Sequence, residues 1–278
     1  SKIIERNISL FSARRTVSHQ EMINKYIESN ELINLMEYLH EKCDDATISS
    51  VFDAFYQQSI EKYITLCKAG IKINDRVAHQ KYACYLATKE HPSQQDHFDA
   101  VEHLLISINK GYHESYFFLG RLLHESFHDD KKAFQIAKKG SDKGEKYSKC
   151  LLGHFISKGI GTEKDLYKGV EIMLESNAND YYDNYPNDIG LYFIHLSEEK
   201  GDKKSSTFEK EKAFEWFEKA FNHKHTMAAV NNYGLCFLLG IGVEKDINKA
   251  KEIFEIGIEN AKDIESKQDM VYILSKID

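Results

Sequence analysis

Two segments of this chain superimpose almost residue for residue, and a sequence that copies itself in this way stacks like units instead of folding around one unique core. One runs Gly153-His-Phe-Ile-Ser-Lys-Gly159-Ile-Gly161-Thr-Glu163-Lys164-Asp165-Leu-Tyr-Lys168-Gly169. The other runs Gly234-Leu-Cys-Phe-Leu-Leu-Gly240-Ile-Gly242-Val-Glu244-Lys245-Asp246-Ile-Asn-Lys249-Ala250. In both, six residues lead from the first glycine to Gly-x-Gly and eight more to a small residue. Weaker copies begin at Leu119-Gly120, continuing to Ala133, and at Ile189-Gly190, continuing to Ala213 after an insertion around 203–210. A degenerate fifth copy holds Ala83 or Cys84 and Ala100. The leading glycines Gly120, Gly153, Gly190 and Gly234 are spaced by 33, 37 and 44 residues.

The second half of each copy carries its own signature. Ala100, Ala133, Gly169, Ala213 and Ala250 are each followed seven residues later by Ser107, Gly140, Ser176, Ala220 and Gly257. Seven residues is two helical turns, so both small positions share a face and admit a neighbouring helix closely. Each unit therefore reads as helix, Gly-rich turn, helix, turn. Two prolines and fifteen glycines in 278 residues cannot punctuate a many-stranded sheet protein, which leaves an all-α fold. The expectation is an α-solenoid of stacked antiparallel helix pairs.

The pattern resembles the Sel-one-like repeat family, relatives of the tetratricopeptide repeats. Residues 226–261 carry it through Ala229, Tyr233-Gly234, Gly240-Ile-Gly242-Val243, Lys245-Asp246 and Lys249-Ala250. Residues 145–178 carry it well, and Lys212-Ala213-Phe-Glu-Trp216-Phe217-Glu-Lys219-Ala220 supplies the second-helix half of a further unit. The copies at 114–144 and 79–111 lack the Gly-x-Gly turn. The resemblance implies a right-handed superhelix of helix pairs that serves as an adaptor or scaffold, usually without catalysis.

Residues 1–75 show no clear copy. Ser18-His-Gln-Glu21 reads as a capping box opening a helix through Met22, Ile23, Tyr26 and Ile27, and Asn30 as the start of another carrying Leu32, Leu35, Met36 and Leu39. Apolar residues from Ile48 to Cys67 keep the 3.6-residue period. The expected organisation is an N-terminal helical cap or worn repeats over 1–75. About five repeats follow over 76–278, approximately 76–112, 113–144, 145–179, 184–223 and 226–261, then a C-terminal capping helix.

Chemistry-bearing motifs are few. His124-Glu125-Ser126-Phe127-His128 formally matches the HExxH pattern of zinc proteases, in which two histidines one helical turn apart bind zinc and the glutamate activates its water. The repeat register, however, puts His124 at the end of a first helix and His128 in the connecting turn. The Gly-x-Gly turns lack a third glycine, a lysine-serine pair and a preceding strand, so they are not phosphate loops. No catalytic residue, cofactor or metal is expected, and the zinc protease is only a remote alternative.

Function is therefore sought on a surface. By analogy with tetratricopeptide-like repeats, the concave face is lined six and three residues before the helix glycine and one, four and five after it. The candidates for protein binding are Phe117, Arg121, His124, Tyr147, His154, Lys158, Asn187, Leu191, His195, Asn231 and Leu235; the same positions include Glu114, Cys150, Ser157 and Asn184. The reading is a non-catalytic scaffold or adaptor that binds another protein or peptide. The alternative is an immunity or inhibitor protein that neutralises a cognate toxin or effector. A net charge of −7 spread evenly along the chain favours a partner with a basic surface and argues against nucleic acid. No stretch is apolar enough to span a membrane, and the opening residues lack the apolar centre of a secretory signal. Five cysteines with no close pair read as reduced thiols, giving a cytoplasmic expectation, although Ser1 leaves room for a trimmed leader.

Overall fold

The computed structural model describes residues 17–176, 185–200, 207–223, 226–261 and 264–277. Fifteen α-helices and no strand occur among them. In chain order they are α1 (Val17–Glu28), α2 (Leu32–Lys42), α3 (Asp45–Gln58), α4 (Ile60–Lys72) and α5 (Arg76–Thr88). Then come α6 (Gln94–Asn109), α7 (Ser115–Glu125), α8 (Asp130–Asp142), α9 (Lys146–Lys158) and α10 (Leu166–Glu175). The last five are α11 (Tyr185–Lys200), α12 (Thr207–His223), α13 (Met227–Leu239), α14 (Ile247–Asn260) and α15 (Ile264–Ile277). The all-α helical-repeat fold expected from the sequence is the one observed.

The chain forms two compact units, Ser1–Leu151 and Leu152–Asp278. In the first, α5 pairs with α6 and α7 with α8; in the second, α11 pairs with α12 and α13 with α14. Each small-residue pair named above is buried, from Ala100 and Ser107 to Ala250 and Gly257. One crossing in the second unit brings two glycines together. A Cβ placed on Gly153 would lie 2.5 Å from the Gly169 carbonyl oxygen, and one on Gly169 would lie 2.5 Å from that of Gly153. Only glycine at both positions lets these helices touch backbone to backbone. Elsewhere an aromatic ring fills the notch that glycine leaves: Phe254 at Gly234 and Phe217 at Gly190.

Turns are closed by residues in the left-handed region. Gly159, Gly161, Gly240 and Gly242 have φ between 67° and 77°. Asn30 (φ 57°) and Asn74 (φ 60°) do the same work, and each is followed by an amide that reaches back five residues: Glu31 N–H to Tyr26 C=O and Asp75 N–H to Gly70 C=O. Asn30 thus ends α1 and does not begin α2, which corrects the sequence reading. Ser18 likewise lies inside α1 and is not its N-cap, because the helix has already begun at Val17. The acidic residues after each Gly-x-Gly turn cap the next helix: Asp165 accepts from Lys168 N–H and Asp246 from Lys249 N–H.

In the first unit, α1 to α4 and the start of α5 share one core built on Leu35, Met36, Leu39, Phe52, Leu66 and Val77. In the second, Phe217, Val230, Cys236, Ile253 and Phe254 form the core, and Ile273, Leu274 and Ile277 of α15 pack against it. None of the five cysteines forms a disulfide; Cys67, Cys150 and Cys236 are buried. Pro186 occupies the first turn of α11, where a missing N–H costs no helical hydrogen bond. Asn184 and residues 203–206 of the insertion lie outside the described residues.

Candidate functional site

The first helices of the second unit are joined by polar side chains. His154 and Lys158 lie one turn apart on α9 and converge on Asp188 in the first turn of α11. Asp188 Oδ2 is 3.0 Å from His154 Nδ1, and its Oδ1 accepts from Lys158 Nζ at 2.7 Å. The next step along the row is a hydrogen bond from Asn232 Nδ2 of α13 to Asn187 Oδ1 at 2.7 Å. The Asp188 side chain is 4% exposed and that of His154 10%, whereas Lys158 keeps 41% of its surface in solvent. Burial alone would raise the Asp188 pKa, but the hydrogen bonds and positive charge of His154 and Lys158 outweigh it and hold the carboxyl below its ordinary value. A carboxylate near the positive end of α11 is favoured by the helix dipole as well.

The arrangement brings together His154, Lys158 and Asn187 from the expected set. Leu191 and Ile194 pack partly against the second unit's core, and Leu235 and Asn231 are half-buried. His195 stands exposed, 3.7 Å from Glu198. In the first unit Arg121 pairs with Glu125 at 2.9 Å, His124 Nδ1 meets Asp130 at 2.7 Å, and Tyr147 rests 6.0 Å from the Phe117 ring.

Several positions read as exposed are not. Phe117 is 1% exposed, Cys150 1%, Ser157 0%, Asn187 7% and His154 8%. The reason is packing between repeats: these positions face a neighbouring helix, as Phe117 does Tyr147 and Asn187 does Asn232. The reading from spacing missed Asp188 and Asn232. The visible signal was a His and a Lys four apart on one helix face, which calls for a facing carboxylate.

The HExxH match does not survive as a zinc site. His124 is on α7, but His128 lies beyond its end with φ 52°, so the two do not share a helix face. No group of three His, Cys, Asp or Glu among the described residues could hold a metal ion.

Stacked helix pairs with glycine-closed turns and side chains linking successive first helices define a helical-repeat protein of the tetratricopeptide-related class. Within it, the chain carries four Sel1 repeats: the Sel1 repeat model matches residues 113–145, 147–179, 199–225 and 228–261. Sel1 repeats generally serve as scaffolds for protein–protein interaction. Among solved structures, the chain resembles c5321, described as a protective antigen present in uropathogenic Escherichia coli strains displaying an SLR fold. The TM-score is 0.62 at 18% identity, over 88% of this chain and 52% of that one. It also resembles a Sel1 repeat protein from Oxalobacter formigenes, with TM-score 0.56 at 15% identity over 86% of this chain and 69% of that one. The chain thus spans about half the length of c5321. A comparison with curated proteins found none that matches. No helix among the described residues is long and apolar enough to cross a membrane.

Proposed function

We propose that the chain is a binding scaffold with no catalytic step of its own, which holds a protein or peptide along its first helices. The observation that carries this reading is the Asp188 bridge with the Asn232–Asn187 bond. It ties three successive first helices together through their buried side, and so pre-organises whatever the same helices present to solvent. The presented groups are Lys158, Leu191, His195, Leu235 and Leu239, the last 63% exposed at the end of α13. A cation beside a row of leucines suits a segment of mixed apolar and polar character. The net charge of −7 favours a partner with a basic surface elsewhere. Residues 76–112 serve as a fifth repeat, since α5 and α6 pair as the matched repeats do. The test is capture of partners by the intact chain and by Leu235→Asp/Leu239→Asp and Lys158→Glu variants of unchanged helicity. Loss of the same bound species in both variants supports the reading; unchanged capture in both contradicts it.

A further inference from the structure

The junction between α5 and α7 in the first unit differs from the bridged junctions of the second. With Ala83 in the register of Gly153, the positions of the bridging His154 and Lys158 become Cys84 and Thr88, and that of Asp188 becomes Phe118. A thiol, a hydroxyl and a phenyl ring replace the ion pair. The short side chains do not fill the gap, and a cavity of about 120 Å³ remains. Cys84, Thr88 and Phe118 all line it, with Ala83 and Ala87 of α5, Leu104 of α6 and Leu122 of α7. At its mouth Arg121 turns back onto Glu125, with Nε and an Nη both 2.9 Å from the same Oε1. That pair neutralises itself, so nothing at the mouth selects a charged group to enter.

We propose that this cavity is an anchor pocket for one uncharged apolar side chain, of leucine or methionine size, within a peptide segment of the partner. The inner wall is mostly apolar, and the volume is close to that of cavities that accept a benzene-sized group. The occupant is a side chain on a peptide because the mouth is polar in the way a main chain needs. The Glu125 carboxylate can accept from a backbone N–H, and the Ser126 hydroxyl can donate to a carbonyl. The Cys84 thiol, its pKa raised to about 12 by burial, stays protonated and behaves as part of the apolar wall. The inference rests on the scaffold reading and specifies what the first unit contributes to it.

The test is a titration of the full chain, followed by NMR of alanine methyl groups, with N-acetyl-leucinamide and N-acetyl-glycinamide as probes. The expected result is saturable shifts at Ala83 and Ala87, with the leucine probe bound at least tenfold more tightly, and loss of those shifts in Ala87→Met. Thr88→Met, at the exposed mouth, blocks the pocket without touching the core and serves if Ala87→Met fails to fold. Equal binding of the two probes, or none, overturns the pocket. Leucinamide binding together with partner capture unaffected by either blocking variant overturns the peptide occupant and leaves a small-molecule site. The titration needs no partner, so its failure leaves the scaffold reading standing.

Discussion

Asp188 receives His154 on one carboxylate oxygen and Lys158 on the other, and so locks α11 to α9 through a side chain that is itself 4% exposed. Removing one member of such a buried set leaves the others uncompensated. Asp188→Ala is expected to lower stability by about 2–4 kcal/mol, and Asp188→Asn, which keeps an acceptor for His154, by about half as much. The pH sign follows from the lowered carboxyl pKa. The unfolded chain binds this proton near pH 3.8 and the folded chain only below it, so the stabilisation is full above that value and is lost as pH falls further. Urea denaturation at pH 7 and at pH 3 should show a loss in the native protein that Asp188→Asn reduces.

His79 of α5 and His103 of α6 face each other with Nδ1 atoms 2.8 Å apart, one donating and the other accepting, and the Tyr82 ring stands edge-on to His103. Burial, then His103 and Lys110, push the His79 pKa down to about 4, against a smaller opposing pull from Asp75. A histidine lowered on folding is native when neutral. Its contribution is therefore complete above pH 6.5 and declines as pH falls from 6.5 toward 4, by up to about 2–3 kcal/mol. An NMR titration should find the His79 ring still neutral at pH 5.5, and a midpoint near 6.5 would refute the burial argument.

Gly153 and Gly144 separate two uses of glycine. Gly153 lies where a Cβ would meet the Gly169 carbonyl at 2.5 Å, whereas a Cβ on Gly144 meets nothing within 4 Å and only the φ of 77° opposes it. Gly153→Ala should cost about 3 kcal/mol or more, despite alanine's better helix propensity, and Gly144→Ala about 1 kcal/mol. Thermal unfolding of the two variants orders them; equal losses would mean that the α9–α10 crossing is not tight.

His128 holds a left-handed conformation in the turn between α7 and α8. Glycine adopts that conformation without strain, so His128→Gly should leave stability unchanged or raise it by about 0.5–1 kcal/mol. A zinc enzyme built on His124 and His128 would instead lose metal and activity. Elemental analysis and melting temperature of the pair of proteins distinguish the two outcomes.

The repeat logic was legible in sequence because it depends on glycine and on small residues, whose physical roles leave little choice. Gly159, Gly161, Gly240 and Gly242 had to supply positive φ, and the Ala100–Ser107 type of pair had to mark a tight helix contact. Asn30 and Asn74 were less legible, since asparagine adopts the left-handed region but is equally at home as an N-cap. The binding face was legible only in outline. Spacing places a residue on the first helix, but whether its side chain meets solvent or the next repeat depends on the partner position. Phe117 and Tyr147, both large, close on each other, whereas Cys84 and Thr88 are too short to do so. Asp188 was missed because its importance lies in two residues, His154 and Lys158, thirty-four and thirty positions away.

In the proposed scaffold the first helices, and not the second, present the binding surface. A photo-reactive amino acid placed singly at His195 or Leu235 on first helices, and at Glu171 or Glu252 on second helices, tests it in cells of the natural source. The expected result is a discrete cross-linked species from His195 and Leu235 and none from Glu171 or Glu252. Cross-links of equal yield from all four positions, or from the second helices alone, would contradict it.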